Sequence, residues 1–196
     1  MALRVTQAGD YSVSLSNGKT DTVHVDSVPA AVDLSTGWNL ALESWGPDPT
    51  ATDQTIAAKT TTMFAANALG TWASLPATSS QLAALGVSSM SQVSGIGRYS
   101  STFQLPASWN AGADGALLSF THGNGDMVVA VTVNGHTIDT VDQATSTVDA
   151  GPYLQAGANT IEVKIDTNLG NRVGRATQTY GLTGVSFQPY TETAVP

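Results

Sequence analysis

The 196-residue chain sets 7 Lys plus Arg against 15 Asp plus Glu, for a formal charge of −8, and contains no cysteine. That length can bury a sizeable core without disulfide or thiolate-metal staples, and the scattered cations exclude the basic patch that nucleic acid requires. No window reaches the roughly 18 apolar residues that cross a bilayer, so no membrane span is expected.

The chain opens with AGDYSVSLSNGKTDTVHVDSVP, where Asn17-Gly18 predicts the turn of a β-hairpin between DYSVSLS and TDTVHVD. Residues 1–30 read as a hairpin or connector from a preceding domain, or as the sandwich edge, and residues 31–196 as one sandwich. VPAAVDLSTG reads as a connector. From Asp48 to Val93 alternation gives way to Ala, Thr, Ser and Leu, so this is expected to be the least regular third. Within it TSSQLAALGVSSM predicts a short helix or turn capped by Ser79 or Ser80.

Beyond Val93 the period is two. GRYSSTFQLP, GALLSFTHG, MVVAVTVNGHTID, NTIEVKID and YGLTGVSFQPY read as strands bounded by Gly, Pro, Asn or Asp. Val129, Val131 and Val133 share one face, as do Ile161, Val163 and Ile165, with Glu162, Lys164 and Asp166 opposite. Tyr99 and Phe103, four apart, share a face too, and Asn134-Gly135 predicts a two-residue turn with both positions at φ > 0. Many short strands with few helices predict an all-β, antiparallel β-sandwich.

The order of segments adds a family resemblance. Gly95, Tyr99 and Phe103, then Val131, Val133, Asn134 and Gly135, then Asp149, Tyr153 and Leu154, then Gly157, Asn159, Ile161 and Val163 follow one another. The series resembles the jelly-roll, galactose-binding-like domain that accompanies many glycoside hydrolases, over roughly Ala31 to Tyr190. Trp38, Trp45, Asn171, Arg172, Tyr180 and Gly181 look most like the C-terminal region of bacterial α-L-rhamnosidases of glycoside hydrolase family 106 and related proteins. The resemblance implies an accessory module whose partners are a catalytic domain of the same parent chain and a plant or bacterial polysaccharide, rhamnose-containing ones included. It also implies a secreted, extracellular or periplasmic location. MALRVTQAGDYS has no apolar run of signal-peptide length, so an export signal would lie outside this chain, which reads as a piece of a longer polypeptide. Carbohydrate modules of this kind often hold a structural calcium ion between loops, which the Asp content would allow, with no ligands assigned.

A sugar site needs an apolar platform for C–H faces and planar polar groups for hydroxyls. Trp72 in ALGTWASLP is the first candidate platform and Trp45 in ESWGPDP the second, both in irregular segments; the alternative is that they cover the end of the core. Trp38 and Trp109 read as structural. Asn124 and Asp126 in THGNGDM are candidate hydroxyl partners, with Gly123 and Gly125 allowing backbone approach to a ligand; the alternative is an ordinary turn in which Asp126 caps an amide. NLGNRVGRATQTYG adds Arg172, Arg175, Gln178 and Tyr180, or is a connecting loop with Arg172 paired to a carboxylate.

Catalytic chemistry is poorly provided for. The Glu residues are Glu43, Glu162 and Glu192, no nucleophile elbow, P-loop or HExxH motif occurs, and His24, His122 and His136 are isolated. No catalytic residue is assigned. The leading expectation is a non-catalytic carbohydrate-binding or supporting module of a secreted bacterial glycoside hydrolase. The alternatives are a purely structural or interaction sandwich without a sugar site, and a small stand-alone glycoside hydrolase.

Overall fold

A computed structural model describes residues 1–48, 50–52, 57–65, 68–139, 141–174 and 177–195. Among them strand accounts for 49% and helix for 8%, far below the helical third of an average globular chain. The fold is an antiparallel β-sandwich of jelly-roll type. The larger sheet has the order β5-β4-β6-β11-β8-β9, built from β4 (Asn39–Pro47), β5 (Ala57–Phe64), β6 (Gly95–Leu105), β8 (Met127–Val133), β9 (His136–Ile138) and β11 (Gly157–Thr167). The smaller has the order β1-β12-β7-β10, from β1 (Ala2–Val5), β7 (Asp114–His122), β10 (Thr147–Asp149) and β12 (Leu182–Ala194).

Alternation decides what meets between the sheets. Val129, Val131, Val133, Ile161, Val163 and Ile165 are all buried, as are Tyr99 and Phe103, and they face Leu118, Phe120, Leu182 and Phe187 of the smaller sheet. Phe103 meets Phe187 edge-on at 5.9 Å between ring centres. Trp38 and Trp109 are buried in the same core.

The recurring motif residues serve this framework. Asn134 and Gly135 have φ of 49° and 80°, the left-handed pair that a two-residue hairpin turn demands. The Asn134 amide donates to Tyr153 O and to Asn159 Oδ1, both at 2.8 Å, and Asn159 returns bonds to Gln155 O and Gly157 O. Buried Asn159 is thus fully partnered, and it staples the β8–β9 turn to the segment before β11. Asp149 accepts from Gly151 N at 3.0 Å, capping the turn after β10, and from Tyr190 Oη at 2.7 Å.

The first residues divide between two structures. β1 pairs with β12 along Ala2↔Ala194 to Val5↔Thr191, completing the smaller sheet. β2 (Gly9–Ser14) and β3 (Thr20–Val25) form the expected hairpin, a separate two-stranded sheet. Val23 and Val25 pack with Val5 and Val195 in a second small apolar cluster.

Two segments differ from the sequence reading. β4 and β5 are regular paired strands, Leu40↔Phe64 through Pro47↔Ala57. The alternation of β4 was masked because its outward positions include Ala41 and Trp45, and β5 is an edge strand rich in Thr, a residue that favours pleated backbone without announcing a buried face. The helix, α1 (Ser79–Ala84), is capped by Thr78, not by Ser79 or Ser80. Thr78 Oγ1 accepts from Gln81 N while the Gln81 side chain accepts from Thr78 N, a reciprocal capping box.

Candidate functional site

Antiparallel pairing brings the loops that carry most of the candidate residues to one end of the sandwich. Ser44↔Gly95, Asp166↔Ile96, Thr167↔Met127 and Leu182↔His122 are terminal pairs of their ladders. The segments leaving β4, β7 and β11 and those entering β6, β8 and β12 therefore share that end.

Its centre is a polar network. The Asp126 carboxylate accepts from Asn168 Nδ2 at 3.2 Å and from Gln178 Nε2 at 3.3 Å. Tyr180 Oη lies 2.6 Å from both Asn168 Oδ1 and Gln178 Oε1. Asn171 holds Gln178 through both backbone groups, each bond 2.7 Å. Thr179 Oγ1 accepts from Asn124 N at 2.9 Å and donates to Asn124 Oδ1. Asn124 and Asp126 are exposed at the top of this network; Asp126 is held by side-chain amides and caps no backbone amide among the described residues.

Gly123 and Gly125 do not clear the way for a ligand. Gly123 N donates to Gly181 O and Gly125 N to Thr179 O, and a Cβ on Gly125 would come within 2.6 Å of Tyr180 Cε1. The missing side chains let the loop lie directly on residues 178–181 of its own chain.

Trp72 and Tyr180 are corrected by burial. Each is 1% exposed, and their rings meet edge-on at 5.7 Å. Trp72 Nε1 donates to Tyr99 Oη at 2.8 Å. An indole closed in on this scale presents no face to a sugar, so Trp72 belongs to the core; only the Tyr180 hydroxyl reaches the polar network. Burial raises the pKa of both phenols, that of Tyr99 to about 12.

Trp45 is half-buried on the outer face of β4, with Lys59 Nζ 4.1 Å from its ring centre and Nε1 donating to Glu43 Oε1 at 2.6 Å. This is the candidate aromatic that keeps part of its ring accessible, though the lysine occupies one face. Arg172 is half-buried, its backbone N donating to Ser94 Oγ at 3.2 Å. Among the described residues no carboxylate pairs with its guanidinium. Arg175 lies outside the described residues. The sequence reading missed Asn168 and Thr179, whose polar types amid glycines carried no periodic signal, and Ser44, whose role depends on the strand it sits in.

Elsewhere the titratable groups serve structure. Arg4 joins β1 to Asp149 at 2.9 Å and Glu192 at 2.6 Å while lying 3.9 Å over the Tyr190 ring centre. Among the described residues no three His, Asp or Glu side chains gather into a metal site.

No family model matches the chain, and no curated protein is matched by it. Solved structures do share its fold. A rhamnosidase from Novosphingobium sp. PP1Y superposes with a TM-score of 0.53 and 18% identity over 93% of this chain and 19% of that one. A β-glycosidase from Bacteroides vulgatus (TM-score 0.44, 20% identity, 82% and 20% coverage) and a Faecalibacterium prausnitzii β-glucuronidase (0.47, 15%, 86% and 32%) are looser matches. At such identities the likeness is one of fold. The chain spans about a fifth of the rhamnosidase's length.

Proposed function

We propose that this chain is a non-catalytic module of a secreted or periplasmic bacterial glycoside hydrolase of rhamnosidase type, binding carbohydrate through its loop end or supporting the catalytic domain beside it. The observation that carries this is the rhamnosidase superposition, which takes in nearly all of this chain and a fifth of that one. Of the glutamates, Glu43 is bonded to Trp45, Glu192 is paired with Arg4, and Glu162 stands exposed on the outer face of the larger sheet.

The binding part of the reading is tested by affinity electrophoresis and calorimetry against a polysaccharide panel that includes rhamnose-containing and uronate-containing polymers. A Kd on the order of 0.1–1 mM per sugar unit is expected, because one ring makes few desolvated contacts. Asp126→Asn and Asn124→Ala should weaken it several-fold. Burial of Trp72 and Tyr180 favours the second reading, a structural or interaction sandwich, and failure of every glycan to bind would leave that reading standing.

A further inference from the structure

On the inner side of β4 and β5, where they meet the end of α1, a cavity of about 310 Å³ is lined by Arg172, Ser44, Thr60, Pro47, Ala58 and Leu85 among others. Its location follows from the pleat. Ser44 and Gly46 point inward on β4, opposite Thr60 and Ala58 on β5, while Trp45 points out. Gly46 is the reason Arg172 can enter: a Cβ there would sit 2.6 Å from the Arg172 Nε. Gly86, with φ +65°, ends α1 on the other side, and a Cβ there would touch Nη2 at 3.4 Å. The guanidinium thus lies between two glycines.

Two groups in this cavity lack the partners that burial normally supplies. Among the described residues Arg172 has no ion pair and no side-chain hydrogen bond. Ser44 is 2% exposed, and its hydroxyl is buried without a hydrogen-bond partner. A half-buried guanidinium facing a cavity in a chain of net charge −8 would ordinarily recruit a carboxylate from the protein itself, and none of the described residues supplies one.

We propose that this cavity binds a uronate, a sugar unit bearing a carboxylate, with Arg172 as its anion anchor; the inference rests on the carbohydrate-module reading above. The planar fork of a guanidinium matches a carboxylate with two parallel N–H···O bonds. One cation balances one negative charge, whereas a dianionic phosphate would meet no second cation among the described lining residues. Pro47, Ala58 and Leu85 supply apolar wall for the C–H face of a ring, and the Thr60 hydroxyl can serve the ring's own hydroxyls. The volume sits at the small end of ligand pockets and suits one ring, so a terminal or branching unit is the form that enters.

The test is an NMR and calorimetric titration of the full chain with D-glucuronate and D-galacturonate, with D-glucose and D-galactose as neutral counterparts and sodium benzoate as a carboxylate without hydroxyls. At least one uronate should bind with a Kd on the order of 0.1–1 mM, at least about tenfold tighter than its neutral counterpart and tighter than benzoate. Arg172→Gln should reduce uronate affinity about tenfold or more. Gly46→Ala should do the same while keeping the charge, since the three atoms nearest the added methyl all belong to the Arg172 guanidinium, which it displaces from the cavity. Arg98→Gln removes an equal charge from an exposed position on the outer face of the sheet and should leave affinity unchanged; melting curves establish that the variants fold. Neutral sugars binding as well as uronates, with Arg172→Gln indifferent, would overturn the uronate inference and leave the carbohydrate module intact. Benzoate binding better than any sugar overturns the uronate inference, as does the absence of any binding.

Discussion

Tyr99→Phe isolates the joint between the two sheets. The Tyr99 hydroxyl is the acceptor for two buried donors, Trp72 Nε1 at 2.8 Å and Leu182 N at 3.1 Å, and the residue is 1% exposed. Removing one oxygen leaves both donors without a partner at about 1–3 kcal/mol each, partly offset because the hydroxyl itself no longer has to be desolvated. The expected loss is about 3 kcal/mol, a large share of the roughly 5–15 kcal/mol that a domain possesses. At about 2–4 °C per kcal/mol for a chain of this length, the melting temperature should fall by about 6–12 °C. Trp72→Phe removes one of the stranded donors, so in the Tyr99→Phe/Trp72→Phe double variant the cost of losing the hydroxyl should shrink by about 1–3 kcal/mol.

The same residue gives a pH signature. In the unfolded chain its phenol loses its proton near 10.0, whereas in the folded chain burial holds it until about 12. Between those values the unfolded state binds fewer protons than the folded one, so stability falls as pH rises and levels off above about 12. Two pH units at about 1.4 kcal/mol each amount to roughly 3 kcal/mol. Urea titrations at pH 8, 10 and 11.5 should therefore show a steep alkaline loss in the wild type and a shallower one in Tyr99→Phe. A variant within about 1 kcal/mol of wild type at pH 8, with an unchanged alkaline slope, would refute the reading of this hydroxyl as the link between Trp72 and β12.

Trp72→Ala should cost about 3–5 kcal/mol, as cavity-forming aromatic truncations do, measured by chemical denaturation; a melting point equal to wild type would return Trp72 to the list of binding residues. Val131→Asp or Ile161→Asp places an unpaired charge at a position that is 0% exposed and should abolish cooperative folding, seen as loss of a sharp thermal transition. Gly115→Ala sets a methyl 2.5 Å from Tyr190 Cε2, displacing the ring from Arg4 and Asp149. It should cost about 1–3 kcal/mol and accelerate hydrogen exchange along β1, whose pairing with β12 that cluster secures.

What the sequence disclosed depended on how one-sided each strand is. β11 alternates Ile161, Val163 and Ile165 with Glu162 and Lys164, so its faces could be read directly, and the Asn134-Gly135 pair named its own turn. β4 and β5 were illegible because they lie toward an edge of the larger sheet, where outward positions are themselves half-covered and inward ones include Ser44 and Thr62. Periodicity reports contrast between faces, and these strands have little. The candidate site shows a different limit. Composition found Asn124, Asp126, Arg172 and Tyr180, which the ladders do bring to one end, but an irregular segment says nothing about which way its aromatic side chains point. Trp72 and Tyr180 turned inward because Gly181, at φ 121°, lets the chain pass where a Cβ would come within 2.9 Å of Trp72 Cδ1, a fit visible only once both segments are placed.

That inward turn bears on how the loop end could act. Gly123, Gly125 and Gly181 let their loops seat on one another, and Asn171, Gln178 and Thr179 bond them across stretches without regular structure. Loops fixed this way are ordered before any ligand arrives, so binding would incur little conformational cost. Weak affinity would then reflect the small number of contacts available to one ring. On the module reading proposed above, stronger binding would have to come from several sugar units engaged at once, or from a catalytic domain holding the same polymer. If the inference drawn from the Arg172 cavity holds, the feature such a loop end would capture is a negative charge beside an apolar ring face.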